Sequence, residues 1–145
     1  DLDYIIPPGT AAVRREGSEM TVISYLSMVR HCAEAIEQTG ADAELIDLRW
    51  LDRASLDWET IEASVKKTNA VLIVEQGARG TSYGAWLADE IQRRLFDWLD
   101  QPVQRVTGAE SSPSISRILE RAAIARTEEV VEGIETVRRN AGGAA

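Results

Sequence analysis

Ala70-Val71-Leu72-Ile73-Val74-Glu75-Gln76-Gly77-Ala78-Arg79-Gly80-Thr81-Ser82-Tyr83-Gly84 decides how this chain is read. Its first five residues are continuously apolar, the pattern of a strand buried on both faces of a parallel sheet. Glu75 to Gly84 then reads as a glycine-rich loop. Beyond it Trp86 or Leu87, Ile91, Leu95 and Trp98 recur at helical spacing to about Leu99, predicting the longest helix of the chain. Buried strand, loop and amphipathic helix make one unit of an α/β fold.

The units on either side repeat this pattern. Ala43 to Leu48 predicts a strand, and Asp57 opens a helix carrying Ile61 and Val65. Asp57 and Glu59 at its start and Lys66-Lys67 at its end suit the helix dipole. Earlier, Thr21 to Tyr25 is β-branched and aromatic, a strand signal. Ser27 is placed to cap a helix through Met28, Val29, Cys32, Ala33 and Ile36, with Gly40 at its C-cap. The short Ala11–Arg15 stretch and its Glu16-Gly17-Ser18 turn predict an antiparallel hairpin with Thr21–Tyr25. Downstream come a strand from Pro102 to Thr107, a loop from Gly108 to Ser114, and a short helix or turn from Ile115 to Glu120. Thr127 then caps a final helix through Val130, Val131, Ile134 and Val137. The expected architecture is a three-layer α/β/α domain. Its sheet is five-stranded, mixed and mostly parallel, with one antiparallel edge strand. Residues 1–10 read as a linker, 11–140 as the domain and 141–145 as a flexible tail.

The 145 residues suit one domain at roughly 100–200 residues each. A formal charge of −8 argues against nucleic acid or an anionic membrane as a partner. No apolar run approaches the ~20 residues of a membrane span. One cysteine, Cys32, excludes an internal disulfide and a cysteine zinc cluster. Cys32 falls on the apolar side of its helix and reads as core, while its neighbour His31, the single histidine, reads as surface. Adjacent helix positions diverge, so the two form no dyad, and no serine has a convincing base.

Glu75, Gln76, Gly77, Arg79, Gly80, Tyr83 and Gly84 lie between a buried strand and a helix N-terminus, where anions and subunit contacts gather. The glycine spacing is neither of the two nucleotide fingerprints, and Glu75 would repel a phosphate. A turn and close backbone approach is therefore preferred to a nucleotide site, with an interface role open. Asp97 and Asp100 can share a helix face, and acids at a helix C-terminus are mildly unfavourable for the helix, which makes them candidates for a binding role, with ordinary surface acids the preferred alternative. Glu16, Glu19, Glu34, Glu37, Asp42 and Glu44 read as a solvated face. Most of Trp50, Trp58, Trp86 and Trp98 read as core, with one or two at an interface.

An ordered series of segments carries a resemblance. It runs Tyr4-Ile5-Ile6-Pro7-x-Gly9, Glu16-Gly17, Thr21-Val22-Ile23-Ser24-Tyr25 and Glu44-Leu45-Ile46-Asp47-Leu48-Arg49. It continues through Leu56-Asp57-x-Glu59-Thr60-Ile61, Ser64-Val65-Lys66-Lys67-Thr68, Val74-Glu75-x-Gly77 and Gly84-Ala85. It ends with Phe96-Asp97-x-Leu99-Asp100-x-Pro102-Val103 and Arg105-Val106-Thr107-Gly108. Together these resemble the C-terminal domain, of transketolase C-terminal type, of the β subunit of 2-oxoacid dehydrogenase E1 components. That family includes the pyruvate, branched-chain and acetoin dehydrogenases.

The resemblance implies an α2β2 enzyme that uses thiamine diphosphate and Mg to decarboxylate a 2-oxoacid and acylate the lipoyl group of E2. It implies that cofactor and catalytic histidines lie outside this domain, which binds neither and does not turn over alone. Its implied partners are its own N-terminal domain, the E1 α subunit, a second β subunit and the E2 subunit-binding domain. The implied location is cytoplasmic, or the mitochondrial matrix in a eukaryote. Asp100 matches a family position that can meet a basic residue of the E2 docking domain, with Asp97 beside it. The loop Glu75–Gly84 matches one near subunit contacts. Two departures stand out: Arg49 to Asp57 is two residues longer than the family pattern, with Ser55 in a proline position, and Ser111-Ser112-Pro113-Ser114-Ile115 replaces a common Pro-x-Pro-Tyr-Ala. The alternatives are the same domain in a transketolase or 1-deoxyxylulose-5-phosphate synthase, or a free-standing anion or nucleotide binder using Gly77–Gly84.

Overall fold

Each apolar strand is followed by a helix long enough to carry the chain back across the sheet, so successive strands run parallel. The computed structural model describes residues 4–110 and 115–143. In chain order the elements are β1 (Ala12–Arg15), β2 (Met20–Ser24), α1 (Met28–Thr39), β3 (Ala43–Asp47), α2 (Trp58–Thr68) and β4 (Val71–Ala78). Then follow α3 (Tyr83–Leu95), a 3-10 turn (Phe96–Trp98), β5 (Gln104–Gly108), α4 (Arg117–Ala123) and α5 (Thr127–Gly142). The sheet order is β1-β3-β2-β4-β5, with β2, β3, β4 and β5 parallel and β1 antiparallel to β3. This is the expected five-stranded mixed sheet with one antiparallel edge.

The period of two along each strand divides the core. Val22, Leu45, Leu72 and Val74 pack under α1 and α5. Ile23, Ile46, Val71 and Ile73 pack under α2 and α3. α5 lies so close to the sheet that a Cβ on Gly133 would stand 2.5 Å from Val106 Cγ2. The caps read from sequence behave unequally. Asp57 accepts from the Thr60 N–H, and Gly40 ends α1 in the left-handed region at φ 61°. Ser27 precedes α1 without a side-chain cap bond, and Thr127 is the first residue inside α5, not its cap.

Several expectations need correction. β1 does not form a hairpin with β2, because β2 is central and both its edges are taken by β3 and β4. The chain instead passes from β1 over the start of β3, where Ser18 and Glu19 N–H donate to the Asp42 carbonyl. Gly17 permits this passage: a Cβ there would lie 2.3 Å from the Ala43 carbonyl carbon. β4 runs on through Ala78, so Glu75, Gln76 and Gly77 belong to the strand and not to a loop. α3 ends at Leu95, and α5, with 16 residues, is the longest helix. β5 starts at Gln104, beyond Pro102, and α4 covers Arg117–Ala123. The loop expectation over Gly108–Ser114 falls partly outside the described residues, as does the family departure at Ser111–Ser114. Residues 1–3 of the linker and 144–145 of the tail also lie outside them.

Two groups are buried differently than their types suggest. Glu44 is buried and paired with Lys67, not part of a solvated face. None of the four tryptophans is fully buried. Trp58 and Trp86 are half-buried beneath the guanidinium groups of Arg94 and Arg53, while Trp50 and Trp98 are exposed. Cys32 is core, as read, and burial pushes its thiol up to about 12. His31 is part-buried, its Nδ1 2.8 Å from Thr127 Oγ1, which donates to Glu34.

Candidate functional site

The candidate residues fall into two groups at opposite ends of the sheet. α3 leaves the carboxyl end of β4 and returns to the start of β5, so its N-terminus and C-terminus mark those two ends. The Glu75–Gly84 segment is at the carboxyl end. Asp97 and Asp100 are at the amino end, where the Asp100 N–H donates to the carbonyl of Asn69, just before β4.

At the carboxyl end Glu75 is the organising group. It ends the apolar part of β4 and is completely buried, on the side facing α3. Its Oε1 accepts from Ser82 Oγ (2.6 Å) and Arg105 Nη2 (2.7 Å). Its Oε2 accepts from Gly84 N–H (2.7 Å) and Tyr25 Oη (2.8 Å). Arg105 also donates to Ser82 Oγ at 3.0 Å. Burial alone would raise the Glu75 carboxyl. The bonds from Ser82, Arg105, Gly84 and Tyr25 outweigh it and hold the group below the ordinary carboxylate range. Tyr25 moves the other way, pushed up first by burial and then by its bond to the carboxylate, so it stays a neutral donor.

This geometry decides what the cluster can do. All of the carboxylate's hydrogen-bonding directions are used internally, so Glu75 is not a free general base. The Gly84 N–H at the start of α3, where a phosphate would sit, is already given to Glu75. The nucleotide-binding alternative therefore meets a carboxylate in the phosphate position. Gly84 is required there, since a Cβ would lie 2.3 Å from Glu75 Oε1. The cluster is a clamp that ties β2, β4, β5 and α3 together. It fixes the outward face of the same segment: Gln76, Gly77, Arg79 and Gly80 are exposed, and Tyr83 is half-buried with its ring against Tyr25 and Trp86.

At the amino end Asp97 lies in the 3-10 turn and Asp100 just past it, both exposed. They therefore do not share the face of one regular helix, as their spacing suggested. Between and beside them Phe96 and Trp98 are exposed at 67% and 47%, with Lys66 Nζ 5.8 Å from the Trp98 ring. Asn69 Nδ2 donates to the Trp98 carbonyl and anchors the turn. The result is an acidic surface with two aromatic side chains.

Sequence reasoning missed Tyr25, Ser82 and Arg105 as partners of Glu75, and Phe96 and Trp98 as parts of the acidic surface. The available signal was a charged residue closing an apolar strand, which requires a partner once buried. Among the described residues no three of His, Cys, Asp and Glu are grouped to hold a metal. No described helix is long and apolar enough to cross a membrane.

Comparison with known proteins fits this architecture. The family model described as transketolase, C-terminal domain, matches residues 9–130. The mitochondrial pyruvate dehydrogenase E1 component subunit beta of Dictyostelium discoideum is 36% identical over 140 residues, covering 94% of this chain and 39% of that protein. The human counterpart is 36% identical over 137 residues. The 2-oxoisovalerate dehydrogenase subunit beta of Pseudomonas aeruginosa is 44% identical over 105 residues, 72% of this chain and 29% of that one. The chain thus spans about two-fifths or less of these curated relatives. A solved split-gene transketolase, an inactive β4 tetramer, shares the fold with a TM-score of 0.75 at 22% identity, over 94% of this chain and 44% of that one. With the match over residues 9–130 on this five-stranded mixed sheet, the chain belongs to the transketolase C-terminal domain family.

Proposed function

We propose that this chain is the assembly and docking domain of the β subunit of a thiamine-diphosphate-dependent 2-oxoacid dehydrogenase E1. The observation that carries the reading is similarity, over most of the chain, to β subunits of both a pyruvate and a 2-oxoisovalerate dehydrogenase. The whole enzyme oxidatively decarboxylates a 2-oxoacid and passes the acyl group to lipoyl-E2. This domain contributes contacts and no catalytic group. Its carboxyl-end segment, Glu75 to Gly84, faces another subunit, with the α subunit, a second β subunit and its own N-terminal domain as partners. Its amino-end surface, Asp97 and Asp100, receives the basic E2 subunit-binding domain. Thiamine diphosphate and its Mg are held elsewhere in the enzyme. The location is the cytoplasm, or the mitochondrial matrix in a eukaryote.

The test is calorimetric titration of an E2 subunit-binding domain into E1 assembled from the full β subunit carrying this domain. Asp100→Lys is expected to weaken binding about tenfold or more, the scale of a lost interfacial charge pair, with a reduced salt dependence. Unchanged affinity in Asp100→Lys and Asp97→Lys removes this surface from docking. Turnover of ketose phosphates in place of 2-oxoacids by the assembled enzyme would favour a transketolase-type parent.

A further inference from the structure

An arginine-lined hollow of this acidic chain is at neither candidate site. We propose that the hollow formed by α4 and the start of α5 docks an acidic polypeptide segment that carries an apolar side chain at its centre. The hollow holds about 710 Å³ and is lined by Arg117, Ile118, Glu120, Arg121, Ile124 and Arg126. Three arginines against one glutamate give it +2, in a chain whose total is −8. Most basic side chains on the other helices are ion-paired: Arg30, Lys66, Lys67, Arg93, Arg94 and Arg138 all have carboxylate partners. Among the described residues Arg117, Arg121 and Arg126 have none, and Arg126 Nε is buried without a hydrogen-bond partner.

The apolar part points the same way. α4 buries none of its own residues, and Ile118 and Leu119 are 81% and 59% exposed. Ile118 and Ile124 line the hollow beside unpaired guanidinium groups, with Leu119 next to Ile118 on α4, and match a segment that offers carboxylates around an apolar residue. Carboxylates accept bidentate bonds from arginine, and the aliphatic contact buries surface on both partners. A free small anion would use the arginines and leave Ile118 in water. The space is also many times the ~30 Å³ that one water occupies.

The probe is a fluorescein-labelled peptide alternating glutamate with leucine, beside the same peptide with glutamine for glutamate. Binding to the 145-residue chain is followed by anisotropy across a salt series. The acidic peptide is expected to bind and the glutamine peptide at least tenfold more weakly. The double variant Arg117→Gln, Arg121→Gln is expected to lose about tenfold and to flatten the salt dependence, and Ile118→Ser to weaken binding without changing the salt slope. Both sites are exposed, and circular dichroism checks that the variants fold. Glu37→Gln, exposed on α1 and away from the hollow, should bind as wild type. Equal binding of both peptides, or no loss in the arginine variant, overturns the proposal. Displacement of the peptide by pyrophosphate at matched ionic strength would make the hollow a small-anion site. Self-association that disappears in the arginine variant would make its occupant a second copy of this chain. Either result also overturns the proposal. None of these readouts depends on 2-oxoacid turnover, so the test is independent of the proposed function.

Discussion

Gly84→Ala places one methyl group against a fully buried carboxylate that accepts four hydrogen bonds. The new Cβ would stand 2.3 Å from Glu75 Oε1, 2.6 Å from Cδ and 2.8 Å from Oε2, against an ordinary contact of 3.4 Å or more. The carboxylate must retreat by about 1 Å (3.4 − 2.3) or the start of α3 must lift away. Retreat is obstructed, because Ser82, Arg105 and Tyr25 hold the same two oxygens at 2.6–2.8 Å. Losing the Gly84 N–H bond and one of the others removes two charge-assisted bonds, about 1.5–3 kcal/mol each. Alanine returns roughly 1 kcal/mol over glycine inside a helix. The net expectation is a loss of about 2–5 kcal/mol. With a urea m-value near 2 kcal/mol/M, the midpoint falls by about 1–2.5 M. An unchanged or raised midpoint would show that helix propensity dominates and that the Glu75 carboxylate moves freely, refuting the clamp. Gly40→Ala is the control: its φ is +61° but nothing lies within 4 Å of a Cβ, so only the left-handed strain of about 1 kcal/mol applies.

Three further outcomes follow from the same structure. The folded carboxyls of Glu75, Glu44, Asp57 and Glu19 are all held low. Their contribution is therefore complete above their unfolded values near 4.5 and 3.8 and is lost as pH falls through the folded ones; urea midpoints from pH 7 to pH 3 should drop more steeply for wild type than for Glu75→Gln. Cys32, fully buried with its thiol raised to about 12, should not react with a thiol reagent in the native protein at pH 8 and should react fully in denaturant. Gly133→Val should destabilise by about 1–3 kcal/mol in urea denaturation through overpacking, because even the first carbon would meet Val106 and Leu72 at 2.5 and 3.3 Å.

The legible parts of this fold are local. The run Ala70–Val74, the Asp57 cap and Gly40 each signal through neighbours within a few residues, and each is found where the sequence places it. β1 reads from sequence as one arm of a hairpin because a nearby glycine turn looks the same whether or not the next strand has a free edge. The long separation between Ala12 and its partner Asp47 leaves no local trace. The Glu75 cluster is hidden for the same reason. Tyr25 and Arg105 are 50 and 30 residues from Glu75, and only the sheet order brings them together. Glu44 reads as a surface acid in isolation and becomes buried because Lys67 covers it from α2. At the amino end the spacing puts Trp98 on the apolar stripe of α3 and gives no sign that Phe96 is exposed, since helical spacing does not reveal where a helix gives way to a tighter turn.

The position of β1 also bears on how the molecule opens. It is the only described strand whose residues are mostly exposed, and it lies on the rim of β3. The Arg14–Asp47 pair and the bond from Ala11 N–H to Asp57 tie it in place. Peeling it away uncovers little apolar surface and leaves the four parallel strands paired as before. Native-state hydrogen exchange should therefore release the amides of Ala12–Arg15 at a free energy well below that of β2 and β4. The rim strand is a latch across the edge of the sheet, and a pull on the residues ahead of it should undo that latch first.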